Sequence, residues 1–431
     1  MTEITKKAGI RSAIFIVLVL VSLLNLIGTA MSEVGYIEGP AQTLSVYNCP
    51  STGNVSMPVF LVEFPDMKFD PGHLSASQVN KRLFDEDDKK SFAAFENESS
   101  YGSLNITGDV YSYTAKKSIK AYENKDKSFE DLAMEVLLAF DGKVDYSKYD
   151  SDNDGFIDAF ALNIAGSDEY WYGCQATWWD NPDFEVDGVK PSVYIINDAA
   201  PVSWNMEYYN QEMEHEFGHC MGLPDLYKYD ADDWEGMKGN AGTELMDEMT
   251  GDYSQFSKLM MGWLKDRNVL VCDPEQKGIH KYIIYPTSEK GSCIIIPRKM
   301  KALLQDMITD EYFIIQYDKK EGTMSDVTGL GKTGGIRIMH ADAEITDDEY
   351  GGTSFKYNGY SSYYDKSHNG RRILRLVDPG AGYFNQGAVI NDDTKGLLWY
   401  DKDGHESVKT GLTIEVRKLT GDKAEIVISG L

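Results

Sequence analysis

The sequence is poor in cysteine. Five cysteines occur in 431 residues, and no two of them form a CxxC pair. A disulfide-built scaffold and a CxxC metal or redox motif are therefore excluded, although one or two bridges remain possible in an oxidising compartment, with an odd thiol left over. The five residues are Cys49, Cys174, Cys220, Cys272 and Cys293.

Positive charge is also scarce. The chain has 42 Lys and Arg residues against 69 Asp and Glu residues, which gives a formal net charge of −27. Such a chain repels nucleic acid and anionic membrane surfaces, whereas it suits divalent cations. We therefore expect metal ions and protein or peptide substrates as partners, and no nucleic acid.

The N-terminus carries the one long apolar run, at residues 13–27. Basic residues precede this run, small residues follow it at 28–30, and Ser22 and Asn25 interrupt it. Because the run is short for a bilayer span, we predict a secretory signal peptide over 1–30 that is cleaved near Ala30. An uncleaved signal anchor, which would tether the protein to a membrane, is the alternative.

The rest of the chain changes character near residue 272. We expect a short lead-in or pro-segment at 31–55, a domain of mixed helical and strand periodicity at 56–272, and a β-rich domain at 273–431. This pattern predicts the α+β class. Strands are expected at 58–64, 106–113, 159–164, 192–196, 282–285, 293–296, 312–317, 336–340, 412–416 and 424–428. Helical patterns cover 75–96, 128–140 and 206–221.

The strongest chemical signal is an HExxH motif inside the last of these helices. His215 and His219 are four residues apart, so both imidazoles lie on one helix face and can bind one zinc ion. Gly222 permits a sharp exit from the helix, and Asp225 follows where the extended HExxHxxGxxH signature has its last ligand. Since zinc also accepts carboxylate oxygens, we predict His215, His219 and Asp225 as zinc ligands. Glu216 is then the general base that takes a proton from a metal-activated water.

These motifs resemble the immune inhibitor A family of secreted metallopeptidases, a metzincin-like branch. The resemblance covers most of residues 56–345 and is carried by the runs 59–66 (VFLVEFPD), 98–108 (ESSYGSLNITG), 215–227 (HEFGHCMGLPDLY), 257–263 (SKLMMGW), 311–313 (EYF) and 334–340 (GGIRIMH). It implies a secreted zinc endopeptidase in which a twisted mixed sheet and an active-site helix precede the β-rich C-terminal domain. It also implies that Met246 forms a Met-turn beneath the metal, although 243–247 reads TELMD where the family has WDLMG.

A second motif indicates calcium. Asp150, Asp152, Asp154 and Asp158 follow the D-x-D-x-D-G-x-x-D pattern of an EF-hand loop, with Gly155 at the tight turn. The twelfth-position Glu is replaced by Ala161, so we predict an EF-like structural calcium site that takes ligands from elsewhere. An acidic surface turn is the alternative.

Several alternatives remain open from the sequence. A gluzincin-type site would use Glu244 or Glu248 as third ligand in place of Asp225, and a non-catalytic extracellular binding protein would use the metal only structurally. Tyr227 or Tyr253 would either stabilise the oxyanion of the reaction or serve only in packing. Cys49 would either bind zinc in a latent form of the protein or be a free or disulfide-bonded cysteine.

Overall fold

The computed structural model describes residues 48–69, 75–85, 87–122, 129–166, 174–198, 206–227, 244–325, 327, 329–347, 353–357 and 371–430. The signal segment 1–30 and most of the lead-in therefore lie outside the described residues. The described chain is mixed α+β with several separate sheets, and its C-terminal region is rich in β-structure, as the sequence predicts. Among the described residues, no helix is both long and apolar enough to cross a membrane.

Helices and strands alternate up to the metal-motif helix. In chain order they are β1 (Gly53–Glu63), α1 (Ala76–Phe84), α2 (Phe92–Ser99), β2 (Leu104–Thr114), α3 (Glu130–Phe140), β3 (Phe156–Ile157), β4 (Phe160–Ile164), β5 (Gln175–Trp178), β6 (Lys190–Pro191), β7 (Val193–Asp198) and α4 (Met206–Cys220).

One five-stranded sheet organises this part of the chain, in the order β2-β1-β4-β7-β5. The first four strands are parallel, and β5 runs antiparallel to β7 at the edge. Alternate residues, such as Phe60, Leu162 and Ile196, build a buried core with Leu132 and Val136 of α3 on one face of the sheet. The opposite face receives α4, because the Asn163 amide of β4 bonds to the Tyr209 hydroxyl of α4.

After α4, short helices and then strands follow. They are α5 (Leu245–Glu248), α6 (Gln255–Met260), β8 (Val269–Val271), β9 (Ile279–Ile284), α7 (Thr287–Lys290), β10 (Cys293–Pro297), α8 (Leu304–Ile308), β11 (Glu311–Asp318), β12 (Gly335–Asp342), β13 (Ile345–Asp347), β14 (Thr353–Phe355), β15 (Leu374–Leu376), β16 (Val389–Asn391), β17 (Leu398–Tyr400), β18 (Glu406–Lys409), β19 (Thr413–Thr420) and β20 (Lys423–Ser429).

Two larger sheets form the β-rich region. One has the order β15-β12-β11-β10-β8 and the other the antiparallel order β16-β19-β20-β9. Apolar residues from both sheets, such as Ile294, Phe313, Ile414 and Ile426, belong to one buried core. The alternating runs predicted from the sequence therefore pair into two sheets that share a core.

The residues around the predicted lead-in boundary belong to the folded structure. Strand β1 begins at Gly53, five residues before the predicted start, because 53–57 pairs in register with β2. The indole Nε1 of Trp263 donates to the Ser51 carbonyl at 2.7 Å, and the Ser51 hydroxyl donates to the Met261 carbonyl at 3.1 Å. These contacts attach the segment before β1 to the chain that follows α6.

Two helical predictions differ in detail from the structure. The pattern at 75–96 is two helices, α1 and α2, since the charged run between them forms a turn. Helix α3 begins at Glu130, two residues after the predicted start of its pattern, and Phe129 before it has a left-handed φ of 67°. Ser128 itself lies outside the described residues.

Candidate metal centre

Helix α4 carries the metal motif and ends close to the predicted residue. Its last residue is Cys220, and Gly222 follows with φ +97°, a conformation that glycine adopts without strain. The Gly222 N–H donates to the His219 carbonyl at 2.8 Å, and the Leu223 N–H donates to the Gly218 carbonyl at 3.0 Å. These bonds satisfy two backbone carbonyls in the last turn of the helix, and the chain reverses there, as in a Schellman cap.

The reversal brings Asp225 against both histidines. Its Oδ1 lies 3.0 Å from His215 Nε2 and 3.2 Å from His219 Nε2. The three side chains each present one ligand atom within 4.8 Å of the others. All three predicted zinc ligands therefore converge on one point, at the C-terminal end of α4.

The other nitrogen of each imidazole contacts a backbone carbonyl. His215 Nδ1 lies 2.8 Å from the Leu245 oxygen, and His219 Nδ1 lies 2.7 Å from the Leu223 oxygen. Since a carbonyl only accepts, each Nδ1 carries a proton, so Nε2 is the nitrogen that offers a lone pair when the imidazole is neutral. This arrangement fixes the tautomer that binds a metal through Nε2.

The charges and burial of these three side chains favour a positive charge between them. Burial lowers the pKa of His219, but the Asp225 carboxylate raises it more, to about 9. Burial also lowers the pKa of His215, yet the hydrogen bond with Asp225 leaves it raised. For Asp225 burial raises the pKa, and the two histidines outweigh it, so the carboxyl stays ionised. Three atoms that are all acceptors when the imidazoles are neutral thus need a cation among them, either protons or a metal ion.

Glu216, the predicted general base, is buried beside the three ligands but is not one of them. Its Oε2 accepts the Ala176 backbone N–H at 2.5 Å. Ala176 lies in β5, the antiparallel strand at the end of the described sheet order, so this bond joins the candidate base to that strand. Nothing in the sequence pattern around Ala176 marked it as part of the site.

Met246 lies beneath the metal helix, as the resemblance implies. A methyl group added at Gly218, between the two histidines, would stand 2.6 Å from Met246 Sδ, so the glycine permits this close packing. The Met246 carbonyl also accepts the Leu226 N–H at 2.8 Å, next to Asp225. The segment around Met246 therefore supports both sides of the candidate centre, since its neighbour Leu245 binds His215.

Tyr253 has a packing role. Its hydroxyl is buried and lies 2.9 Å from both Glu96 Oε1 and the Glu214 carbonyl oxygen. Burial raises the pKa of Glu96 well above its usual value, although the hydrogen bond that the Tyr253 hydroxyl donates to its carboxyl lowers it; the same hydroxyl also lies within hydrogen-bond distance of the helix backbone at Glu214. The chain of bonds anchors α4 from behind. Tyr227, in contrast, stacks on His215 with ring centroids 6.4 Å apart.

The rival ligands are engaged elsewhere. Glu244 Oε1 accepts from the hydroxyls of Ser254 at 3.2 Å and Ser257 at 2.6 Å, and Oε2 accepts the Met246 N–H. Glu244 thus caps α5 in place of binding the metal group. The side chain of Glu248 lies outside the described residues. Cys49 is buried, and burial, followed by the nearby Cys220, raises the pKa of its thiol well above the usual value, so it is held as a thiol.

The acidic loop before β4 gathers three of its four predicted ligands. Asp150, Asp152 and Asp158 present carboxylate oxygens within 4.8 Å of one another. Burial, the larger cause, together with nearby charge at Asp152, raises the pKa of Asp158 to about 6 despite hydrogen bonds from Ser151 and Ser56. Gly155 has φ +92° at the predicted tight turn.

Asp154 is not part of this group. Its Oδ2 accepts the Asn48 side-chain amide at 2.8 Å, and its Oδ1 accepts the Phe156 N–H at 2.8 Å. The carboxylate of Asp154, the fourth predicted ligand, thus bonds to Asn48 and Phe156 and is not one of the three grouped carboxylates.

Comparisons with known proteins identify no family. No protein-family model and no curated protein sequence matches the chain. One solved structure, described as a chaperone–substrate complex, is 17% identical over 42% of this chain and 25% of its own length, with a TM-score of 0.20. Catalytically inactive OgpA from Akkermansia muciniphila, bound to an O-glycopeptide, is 12% identical over 70% of this chain and 92% of its own, with a TM-score of 0.24. This chain thus spans a quarter of the first structure, and similarities this low define neither fold nor function.

Proposed function

We propose that this protein is a secreted zinc endopeptidase that hydrolyses peptide bonds in protein substrates. The observation that carries the proposal is the convergence of His215 Nε2, His219 Nε2 and Asp225 Oδ1, with each Nδ1 held by a backbone carbonyl. Two imidazoles and one carboxylate are a common ligand set of catalytic zinc sites.

The donor set fits zinc in number as well as in kind. Among the described residues, the group contains three histidine or carboxylate ligands, whereas structural zinc sites are normally closed by four protein ligands. When bound, zinc would polarise a scissile carbonyl and lower the pKa of a water to about 7. The negative charge of Asp225 and the tautomers of both histidines are already arranged for such a cation.

Glu216 is the residue proposed to move protons. It follows ligand His215 directly in α4, and the Ala176 N–H orients one of its carboxylate oxygens. We assign it the removal of a proton from the attacking water and the delivery of that proton to the leaving amine. A carboxylate that lies beside the three ligands without being one of them favours an enzyme over a non-catalytic binding protein.

A metzincin-like fold of the immune inhibitor A type is part of the same proposal. It is supported by the parallel sheet with one antiparallel edge strand, by the sharp turn at Gly222 and by Met246 beneath the helix. We also propose that the loop at Asp150, Asp152 and Asp158 binds a structural calcium ion. Secretion rests on the N-terminal pattern alone.

Metal analysis and a cleavage assay on the purified protein test the proposal. We expect about one zinc per chain, cleavage of casein, loss of cleavage with phenanthroline and recovery on adding zinc. Cleavage that persists in metal-free protein would refute the mechanism. A zinc-loaded, folded protein that cleaves neither casein nor a mixed peptide library would favour the non-catalytic alternative.

A further inference from the structure

A series of buried polar contacts joins the β-rich region to the candidate metal centre. It begins at the ion pair between Arg337 Nε of β12 and Asp318 Oδ2 of β11, 2.9 Å apart, and it ends at His215. Every side chain along this series is buried. Because buried polar groups destabilise a fold unless they are bonded, a continuous series of them points to a role that apolar side chains could not fill.

Gln316 of β11 connects the sheet to α6. Its neighbours Ile315 and Tyr317 belong to the core shared by the two β-rich sheets, so Gln316 lies on the opposite face of β11. Its Nε2 donates to Asp318 Oδ1 at 2.6 Å, and its Oε1 accepts the Gln255 backbone N–H at 3.0 Å. Gln255 is the first residue of α6, where a backbone N–H has no acceptor within the helix. Gln316 therefore holds the start of α6 against the sheet.

The start of α6 in turn holds Glu244. The Ser254 N–H donates to Glu244 Oε1 at 3.0 Å, and the hydroxyls of Ser254 and Ser257 donate to the same oxygen at 3.2 and 2.6 Å. The other carboxylate oxygen, Oε2, accepts the Met246 N–H. Both oxygens of Glu244 are thus occupied, and they fix the backbone on either side of Leu245.

We propose that Gln316 is a positioning residue for the candidate metal centre. It fixes α6 and, through Glu244, the carbonyl of Leu245. That carbonyl lies 2.8 Å from His215 Nδ1 and sets the orientation in which the imidazole presents Nε2. The inference rests on the proposed zinc site. It makes the β-rich region part of the peptidase unit and not a separate accessory domain, in agreement with the single compact unit that holds all described residues.

The test compares Gln316→Met with the wild-type protein. Methionine is also long and unbranched, but it can form neither of the two hydrogen bonds. We expect zinc affinity, measured by competition with a chelator, to fall by about tenfold, the lower end of the loss for direct partners of metal ligands, because Gln316 acts through intermediates. The absorption spectrum of the cobalt(II)-substituted protein, which reports the geometry of the ligands, should change as well. A loss of this size weakens a tightly bound ion without emptying the site, so zinc content alone would not detect it.

Two further variants separate positioning from general stability. Ile315→Val removes one methylene from the adjacent buried residue on the opposite face of β11, and it should lower the melting temperature while zinc affinity and the cobalt spectrum stay unchanged. Ser257→Ala removes one hydroxyl that holds Glu244, and it should weaken zinc binding in the same direction as Gln316→Met.

The outcomes distinguish the inference from the function on which it rests. Unchanged zinc affinity in a folded Gln316→Met variant, or in Ser257→Ala if Gln316→Met does not fold, would overturn the positioning role. An equal loss in Ile315→Val would overturn it too, since the effect would then follow stability alone. A folded wild-type protein that binds no zinc would instead overturn the proposed peptidase function.

Discussion

At the scale of single residues, Glu216 and Asp225 look alike in the sequence but have different surroundings. Both are carboxylates near the same two histidines, Glu216 buried and Asp225 half-buried. Asp225 shares one oxygen between both imidazoles, whereas Glu216 holds a backbone N–H of the edge strand. The different contacts predict different consequences of substitution.

Replacement of Glu216 should separate catalysis from metal binding. Glu216→Ala is expected to lower kcat by about 100-fold to 10,000-fold, because it removes the proton acceptor, while the zinc content stays at the wild-type value. Zinc analysis and peptide kinetics on the same preparation measure both. Asp131→Ala, which removes an exposed carboxylate on α3, is the control and should change neither. Loss of zinc from the Glu216 variant would contradict the assigned role.

Replacement of Asp225 should weaken zinc binding and activity together. Asp225→Ala is expected to reduce zinc affinity by more than about 100-fold. Mutation of a residue that only hydrogen-bonds to a metal ligand already lowers metal affinity by about 10–100-fold, and Asp225 is itself a predicted ligand. Asp225→His should retain part of the affinity, since imidazole also binds zinc. Affinity is measured by competition with a chelator of known zinc affinity.

Glu244→Gln distinguishes the gluzincin alternative. Because Glu244 caps α5 by accepting the Met246 N–H and also accepts from the hydroxyls of Ser254 and Ser257, we expect this variant to have a lower melting temperature but to keep its zinc. If Glu244→Gln lost its zinc while Asp225→Ala kept it, the ligand assignment would be wrong.

At the scale of an element, the acidic loop before β4 is predicted to bind calcium without Asp154. Calcium at 100 times its dissociation constant should stabilise the fold by about 2.7 kcal/mol, seen as a higher melting temperature. Asp152→Asn with Asp158→Asn should remove most of this increase. Asp154→Asn should retain it, because Asp154 bonds to Asn48 and not to the group. Equal losses in all variants would place Asp154 back among the ligands.

The same loop predicts how the calcium effect varies with pH. The folded pKa of Asp158 is raised from 3.8 to about 6, chiefly by burial, so the calcium-free fold is favoured below about pH 4 and loses that stability as pH rises toward 6. Calcium requires the ionised carboxylate, so its stabilising effect should grow over the same interval. Melting temperatures with calcium and with EGTA at pH 4.5 to 7.5 measure this, and Asp158→Asn should flatten the difference. A calcium effect independent of pH would exclude Asp158 as a ligand.

At the scale of the whole molecule, the segment before β1 joins the first sheet to the chain beyond α6. Val55 is fully buried in β1, and Trp263 donates to the Ser51 carbonyl. A chain that begins at Met57 should therefore be less stable than one that begins at Asn48. We expect a difference of roughly 3–5 kcal/mol, from one buried Val and one buried N–H left without its acceptor.

Urea unfolding of the two truncated chains measures this difference, with zinc content determined for each. Equal stability would mean that the contacts of Ser51 and Val55 contribute little. A clear loss would place any natural processing site before this segment and not within it.

Local patterns in the sequence determined the parts of this protein that depend on neighbouring residues. The helical period puts His215 and His219 on one face, and Gly222 allows the chain to turn so that Asp225 returns to them. Alternating apolar residues predicted ten of the twenty described strands, namely all those of five or more residues, to within five residues at their ends, because burial of one face imposes that period.

Only the tertiary structure decided which distant groups complete each site. The Ala176 N–H donates to Glu216, 40 residues away in sequence, and the Leu245 carbonyl orients His215, 30 residues away. The Asn48 amide donates to Asp154 of the acidic loop, 106 residues away. Spacing along the chain carries no information about such partners, since strand order and turns bring them together. The zinc ligands could be predicted because they are close in sequence, whereas the residues that orient them could not.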